Sequence, residues 1–233
     1  MKAVFFDLDD TLYPEMMYVR SGYRAVTEEL DLQGTIPLSR EEIYESLLAL
    51  FDESPKNVFN RFFDKVDVRY TKEDIEELVH VYRHHTPRIS FYHDVPHTIS
   101  GLKQRDFLVG VLTDGYAVTQ KKKVEALKCG QIFDCIILTD ELGKDCWKPS
   151  DKGFRKGAKE LGIAPEDIIL YVGDNPEKDF EIVRSLPRIK TVRILREGGI
   201  YLKAHYASAV REHYTVSNLS EIVPIAEKVG RKK

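Results

Sequence analysis

The sequence predicts an α/β fold built on a doubly wound parallel sheet and interrupted once by a block of helices. Three observations carry that expectation. Short Val, Ile, Leu and Phe runs recur along the 233 residues, and helical periodicity follows nearly all of them. Such runs read as strands buried on both faces of a parallel sheet, joined by right-handed crossover helices. One long stretch, from about Glu15 to Pro87, carries helical periodicity and no strand run. The first run, Val4-Phe5-Phe6, ends in Asp7-Leu8-Asp9-Asp10, three carboxylates in four positions.

After that strand, Met17 to Leu30 predicts a helix with Val19, Tyr23, Val26 and Leu30 on one stripe. Ser39-Arg40-Glu41-Glu42 has the spacing of a capping box, and Ile43, Leu47, Leu48 and Phe51 line the helix it opens. Ser54-Pro55 opens a third, with Val58, Phe59, Phe62, Phe63 and Val66 as bundle core. Thr71 caps a fourth, which Pro87 stops. The expected division is therefore a core of residues 1–14 and 88–233 and a four-helix insert of residues 15–87.

From Tyr92 onward strand and helix alternate. Val95 to Arg105 predicts a helix and Phe107 to Thr113 a strand. Thr119 to Lys128 predicts a helix and Cys135 to Leu138 a strand. Ser150 or Asp151 caps a helix ending at Leu161, with Gly162 as its stop. Ile168 to Val172 is the next strand, closed by Gly173-Asp174-Asn175-Pro176. A helix over Glu177–Ser185, a strand over Lys190–Leu195, a short candidate strand at Tyr214–Val216 and a helix over Leu219–Val229 complete the chain. The Rossmann-like order 3-2-1-4-5 sets the first and fourth strands side by side at the point where the crevice opens.

Composition excludes several classes. Lys and Arg number 35 against 38 Asp and Glu, so no nucleic-acid partner is expected. Apolar runs fall far short of the ~20 residues of a membrane span, and no leader is expected before the first strand. Cys129, Cys135 and Cys146 form no Cys-x-x-Cys pair and leave an odd count, which points to a reducing cytoplasm. Charged residues reach 31% and Asn plus Gln only eight, trends that accompany proteins from hot environments.

Four strand ends carry or lead into polar groups: Asp7 and Asp9; Thr113 and Asp114; Lys148-Pro149; and Asp174 with Asp179 five residues on. Carboxylates crowded in a partly dry cleft repel one another unless they share a cation, and a hard divalent ion such as Mg²⁺ suits oxygen ligands. A hydroxyl, an ammonium and several carboxylates around one metal make a phosphoryl-transfer set.

These segments, Asp7-Leu8-Asp9-Asp10-Thr11-Leu12, Thr113, Lys148-Pro149 and Gly173-Asp174-Asn175-Pro176-Glu177-Lys178-Asp179, resemble the four motifs of the haloacid dehalogenase superfamily. The helical insert resembles the C1-type cap of its phosphatase-like branch. The resemblance implies Asp7 as nucleophile, forming an aspartyl-phosphate, and Asp9 as general acid and then base. It implies Thr113 and Lys148 as holders of the phosphoryl group, with Asp114 and Gly115 beside them. The Asp7 side chain, the Asp9 backbone carbonyl and Asp174 would ligate Mg²⁺, supported by Asn175 and Asp179. A halide leaving group needs no proton, whereas an alkoxide does, so Asp9 favours phosphate-ester hydrolysis over dehalogenation. The expected partner is a small phosphorylated metabolite. A phosphotransferase or mutase on the same intermediate is the alternative within enzymes, and a catalytically silent metal- or phosphate-binding regulator the alternative outside them.

Other features have plainer readings. His80 and His84 lie one helical turn apart on a solvated face, without a third ligand. Arg20 and Arg24 are placed either to reach a second phosphate or carboxylate of a substrate or to pair with Glu28 or Asp31, and Lys121-Lys122-Lys123 is expected to be an exposed helix start or face.

Overall fold

The computed structural model describes residues 1–231. The chain divides into two compact units, one formed by residues 1–15 with the segment from Ile89 onward, the other by Met16–Arg88.

In the first unit, β1 (Lys2–Phe6), β2 (Phe107–Thr113), β3 (Cys135–Leu138), β4 (Ile168–Gly173), β5 (Lys190–Ile194) and β6 (Tyr214–Val216) form one parallel sheet in the order β3-β2-β1-β4-β5-β6. The order 3-2-1-4-5 expected from sequence is thus extended by one strand. β1 lies at the centre, its Val4 opposite Val109 of β2 and Leu170 of β4. Every residue from Ala3 to Phe6 is fully buried, as a strand covered on both faces requires. Phe5, Leu112, Phe154, Tyr171 and Ile182 pack in one core cluster, with the Phe154 ring edge-on to Tyr171 at 4.9 Å.

The second unit contains four helices with a core of their own. They are α1 (Glu15–Gln33, whose first residue belongs to the other unit), α2 (Arg40–Glu53), α3 (Val58–Lys65) and α4 (Lys72–His84). Val26, Ile43, Leu47, Phe62 and Leu78 fill that core, and Phe59 and Phe63 join them as bundle residues. Ser39 and Thr71 each close a reciprocal capping box, with Glu42 and Asp74. Arg24 stacks on an aromatic ring, its guanidinium lying 4.4 Å from the centre of the Tyr44 ring. Asp31 pairs with Arg40. The His80 and His84 rings stack on each other.

The remaining helices are α5 (Val95–Lys103), α6 (Ala117–Ala126), α7 (Lys152–Glu160) and α8 (Ile222–Gly230). Three expectations require correction. α6 starts two residues before Thr119, because the Asp140 carboxylate, 23 positions on, accepts from the Ala117 N–H at 2.9 Å. Asp151 stands at the N-cap of α7 but makes no capping bond, its carboxylate being taken by Arg155. The helix expected over Glu177–Ser185 is a set of turns followed by a single 3₁₀ segment, Glu181–Arg184. There the backbone curls around Asp179, whose carboxylate takes the Asn175 N–H.

Arg196, just past β5, fastens the loop after β1 to the rest of this unit. Its guanidinium makes a two-pronged pair with Asp94, at 2.7 and 2.9 Å, and donates to the Thr11 carbonyl. Burial pushes the Asp94 carboxyl up, but hydrogen bonds from Arg196 and the Leu219 N–H outweigh this and hold it below the usual range.

Candidate active site

Functional side chains gather at the carboxyl ends of β1, β2 and β4. Asp7 extends β1 by one ladder bond, its N–H donating to the Val172 carbonyl at 2.8 Å. Its carboxylate accepts from Lys148 Nζ at 2.6 Å, and the same ammonium reaches Asp179 Oδ1 and the Tyr171 hydroxyl, each at 2.8 Å. Three donors thus meet three acceptors, and Lys148 is saturated with its side chain only 1% exposed. Burial pushes the Lys148 ammonium down, but Asp179 and Asp7 outweigh it and hold the proton well above the ordinary lysine range.

Oxygens of Asp7, Asp174 and Asp179 lie within 4.8 Å of one another, and all three residues are buried. Were all three carboxyls ionised, one ammonium would leave two negative charges uncompensated in a dry site. Burial is the main force raising Asp7, whose carboxyl is pushed up to about 6 despite Lys148. Burial, then the charges of Asp179 and Asp7, lift Asp174 well above the carboxylate range, and no salt bridge among the described residues reaches it. An all-oxygen donor set short of positive charge fits a hard divalent cation. Gly173 is required here, since a Cβ at that position would collide with the Asp179 carboxylate.

Asp9 points away from that cluster. Its Oδ1 accepts from Lys123 Nζ at 2.7 Å and from the Tyr13 hydroxyl, and its Oδ2 from Gln120 Nε2 at 3.0 Å. Burial raises its carboxyl, but the Lys123 charge and the three hydrogen bonds outweigh it and hold Asp9 below the usual range. Lys123, expected on an exposed face, is therefore corrected to a buried site residue, 4% exposed. The exposed-face expectation failed because a run of three lysines hides its phase. Lys121 is exposed and Lys122 half-buried, while Lys123 shares one face of α6 with Gln120.

Thr113 is buried at the end of β2, and its hydroxyl accepts from Gln120 Nε2 at 2.5 Å. Asp114 turns its carboxylate beneath Lys148, accepting from the Lys148 N–H at 3.1 Å and the Thr139 hydroxyl at 2.7 Å, with Lys178 Nζ at 3.3 Å. Gly115 has φ of +123°, a backbone that side chains rarely adopt, at the bend into α6. Asn175 donates its N–H to Asp179 and accepts from the Glu177 N–H, so it shapes the loop around the carboxylate cluster.

Asp10 and Glu15 also belong to this region. Asp10, at φ 48°, accepts from the Glu15 N–H at 2.8 Å and the Ile200 N–H at 2.7 Å. Burial, then the charge of Asp9, pushes the Glu15 carboxyl up to about 8.

No helix among the described residues is long and apolar enough to cross a membrane, and the three cysteines are free and buried. The model of the haloacid dehalogenase-like hydrolase family matches residues 4–186. A glyceraldehyde 3-phosphate phosphatase of Methanopyrus kandleri is 33% identical over 84% of both chains. One of Methanocaldococcus jannaschii is 29% identical over 99% of both. The fold is similar to that of the HAD-hydrolase YfnB from Bacillus subtilis, crystallised bound to magnesium. That match has a TM-score of 0.67 and 17% identity, over 96% of this chain and 97% of that one. The chain belongs to the haloacid dehalogenase-like hydrolases, in their phosphatase-like branch.

Proposed function

We propose that this enzyme hydrolyses small phosphomonoesters through a phosphorylated Asp7, with Mg²⁺ held by Asp7, Asp174 and the Asp9 backbone carbonyl. The observation that carries the reading is the pairing of a buried cluster of three carboxyl groups, Asp7, Asp174 and Asp179, with a separately held carboxylate, Asp9. One group can attack phosphorus while the other handles the proton.

Asp7 is aimed by Lys148 and attacks phosphorus, breaking the bond to the ester oxygen. That oxygen leaves with a proton from Asp9, and Asp9, again a carboxylate, takes a proton from the water that then opens the acyl phosphate. Asp9 starts the cycle ionised, so its proton must arrive with the substrate, whose negative charge beside Asp9 raises that group's proton affinity. Thr113 and the backbone N–H groups at Asp114 and Gly115 face the phosphoryl oxygens. Lys148, its donors already engaged, acts chiefly by orienting Asp7 and countering charge. The metal, when bound, supplies charge neutralisation at the phosphoryl oxygens. Residues 16–88 correspond to the helical cap that the family resemblance implies, and selection of the leaving group is assigned to them.

The relatives named for glyceraldehyde 3-phosphate put that triose phosphate first among candidate substrates. The test is phosphate release from a panel of phosphorylated metabolites with Mg²⁺ present. Release from one or more small esters is expected, with triose phosphates among the best. Phosphate transfer to an added sugar, without free phosphate, would favour the phosphotransferase alternative. Silence on the whole panel would contradict hydrolysis.

A further inference from the structure

Helix α6 sends two buried polar side chains into the site from positions 120 and 123, which share a helical face. Gln120 spends both amide protons there, one on Thr113 Oγ1 and one on Asp9 Oδ2. Because a carboxylate only accepts, the amide nitrogen must face Asp9. Lys123 holds the other Asp9 oxygen, and the Tyr13 hydroxyl donates to that same oxygen. Burying an ammonium is costly unless it is paired and hydrogen-bonded, and here the partner is Asp9.

We propose that Gln120 and Lys123 are positioning residues for Asp9, an inference that rests on the phosphatase reading above. Gln120 fixes the separation between the hydroxyl that holds the phosphoryl group and the carboxyl that serves the leaving oxygen. Lys123 fixes the rotation of that carboxyl. Neither residue exchanges a proton with substrate. Both act by keeping one Asp9 oxygen in line with the ester oxygen, so their loss matters most where the leaving group needs the proton most.

The experiment compares kcat/KM, which covers steps up to phosphorylation of Asp7, for an alkyl ester (glycerol phosphate) and an aryl ester (p-nitrophenyl phosphate). Phenolate departs almost unaided and an alkoxide does not. In Lys123→Met, kcat/KM for the alkyl ester is expected to fall about 100-fold or more and for the aryl ester less than about 10-fold. Lys123→Arg should recover part of the alkyl activity, and Gln120→Leu should shift the alkyl-to-aryl ratio in the same direction. Should Lys123→Met fail to fold by thermal melting, the ratio in the other two variants decides. Equal losses on both esters, or unchanged rates, would overturn the inference and leave a merely structural role. If wild type ignores glycerol phosphate, the best alkyl ester of the metabolite panel takes its place; a wild-type enzyme silent on both esters and on the whole panel would overturn the phosphatase reading, and this inference with it.

Discussion

Replacing Asp7 by Asn is expected to lower phosphate release by about 10⁴-fold or more, the scale on which losing a covalent nucleophile is felt. The amide is nearly the same shape but has no charge and little nucleophilicity. The substitution should leave the fold intact, because Lys148 keeps Asp179 as its charged partner and the Tyr171 hydroxyl as an acceptor. Removing one of three crowded carboxylates also relieves repulsion in the metal-free protein. The variant should therefore melt at or above the wild-type temperature without metal while remaining inactive. Steady-state phosphate release and a thermal melt on the same preparation check both halves.

Chelation with EDTA is expected to silence the enzyme and Mg²⁺ to restore it. The same ion should raise the melting temperature, through a readout independent of activity. At a hundredfold excess over Kd the stabilisation is about 2.7 kcal/mol, which for a chain of this size corresponds to about 5–10 °C. Metal-free, Asp7 is raised to about 6 and Asp174 is held well above its ordinary value. Groups raised on folding lend stability below their unfolded pKa and lose it as pH rises through the folded one. The metal-free protein should accordingly lose stability from these groups as pH climbs from about 4 through 6, and Mg²⁺ should cancel that loss. In Asp174→Asn the melting response to Mg²⁺ should shrink sharply. A response equal to wild type would remove Asp174 from the metal site.

Much of this molecule was legible in its sequence, for identifiable reasons. Strands buried on both faces announce themselves as unbroken apolar runs, so the segments ending at Phe6, Thr113 and Gly173 are readable without tertiary information. Capping boxes at Ser39 and Thr71 are readable because the two partners lie three residues apart. The start of α6 was not readable, since its cap comes from Asp140 across the fold. The turns after Asn175 look helical locally and are bent by one carboxylate, Asp179, that belongs to the site. Lys123 was hidden for a related reason. A lysine run has no internal contrast, and only the phase set by the start of α6 turns the third member toward Asp9. Asp7, Asp174 and Asp179, by contrast, were found as chemically conspicuous groups at strand ends, and the fold draws the three together.

The most direct measurement is rapid acid quench during turnover of p-nitrophenyl phosphate with Mg²⁺, followed by peptide mass spectrometry, on the wild type and on Asp9→Asn, which with a leaving group that needs no proton slows breakdown of the intermediate more than its formation. A single phosphoryl group on the peptide containing Asp7, absent from Asp7→Asn, is the expected result. Phosphate on any other side chain, or turnover with no phosphorylated peptide in either protein, would contradict attack by Asp7.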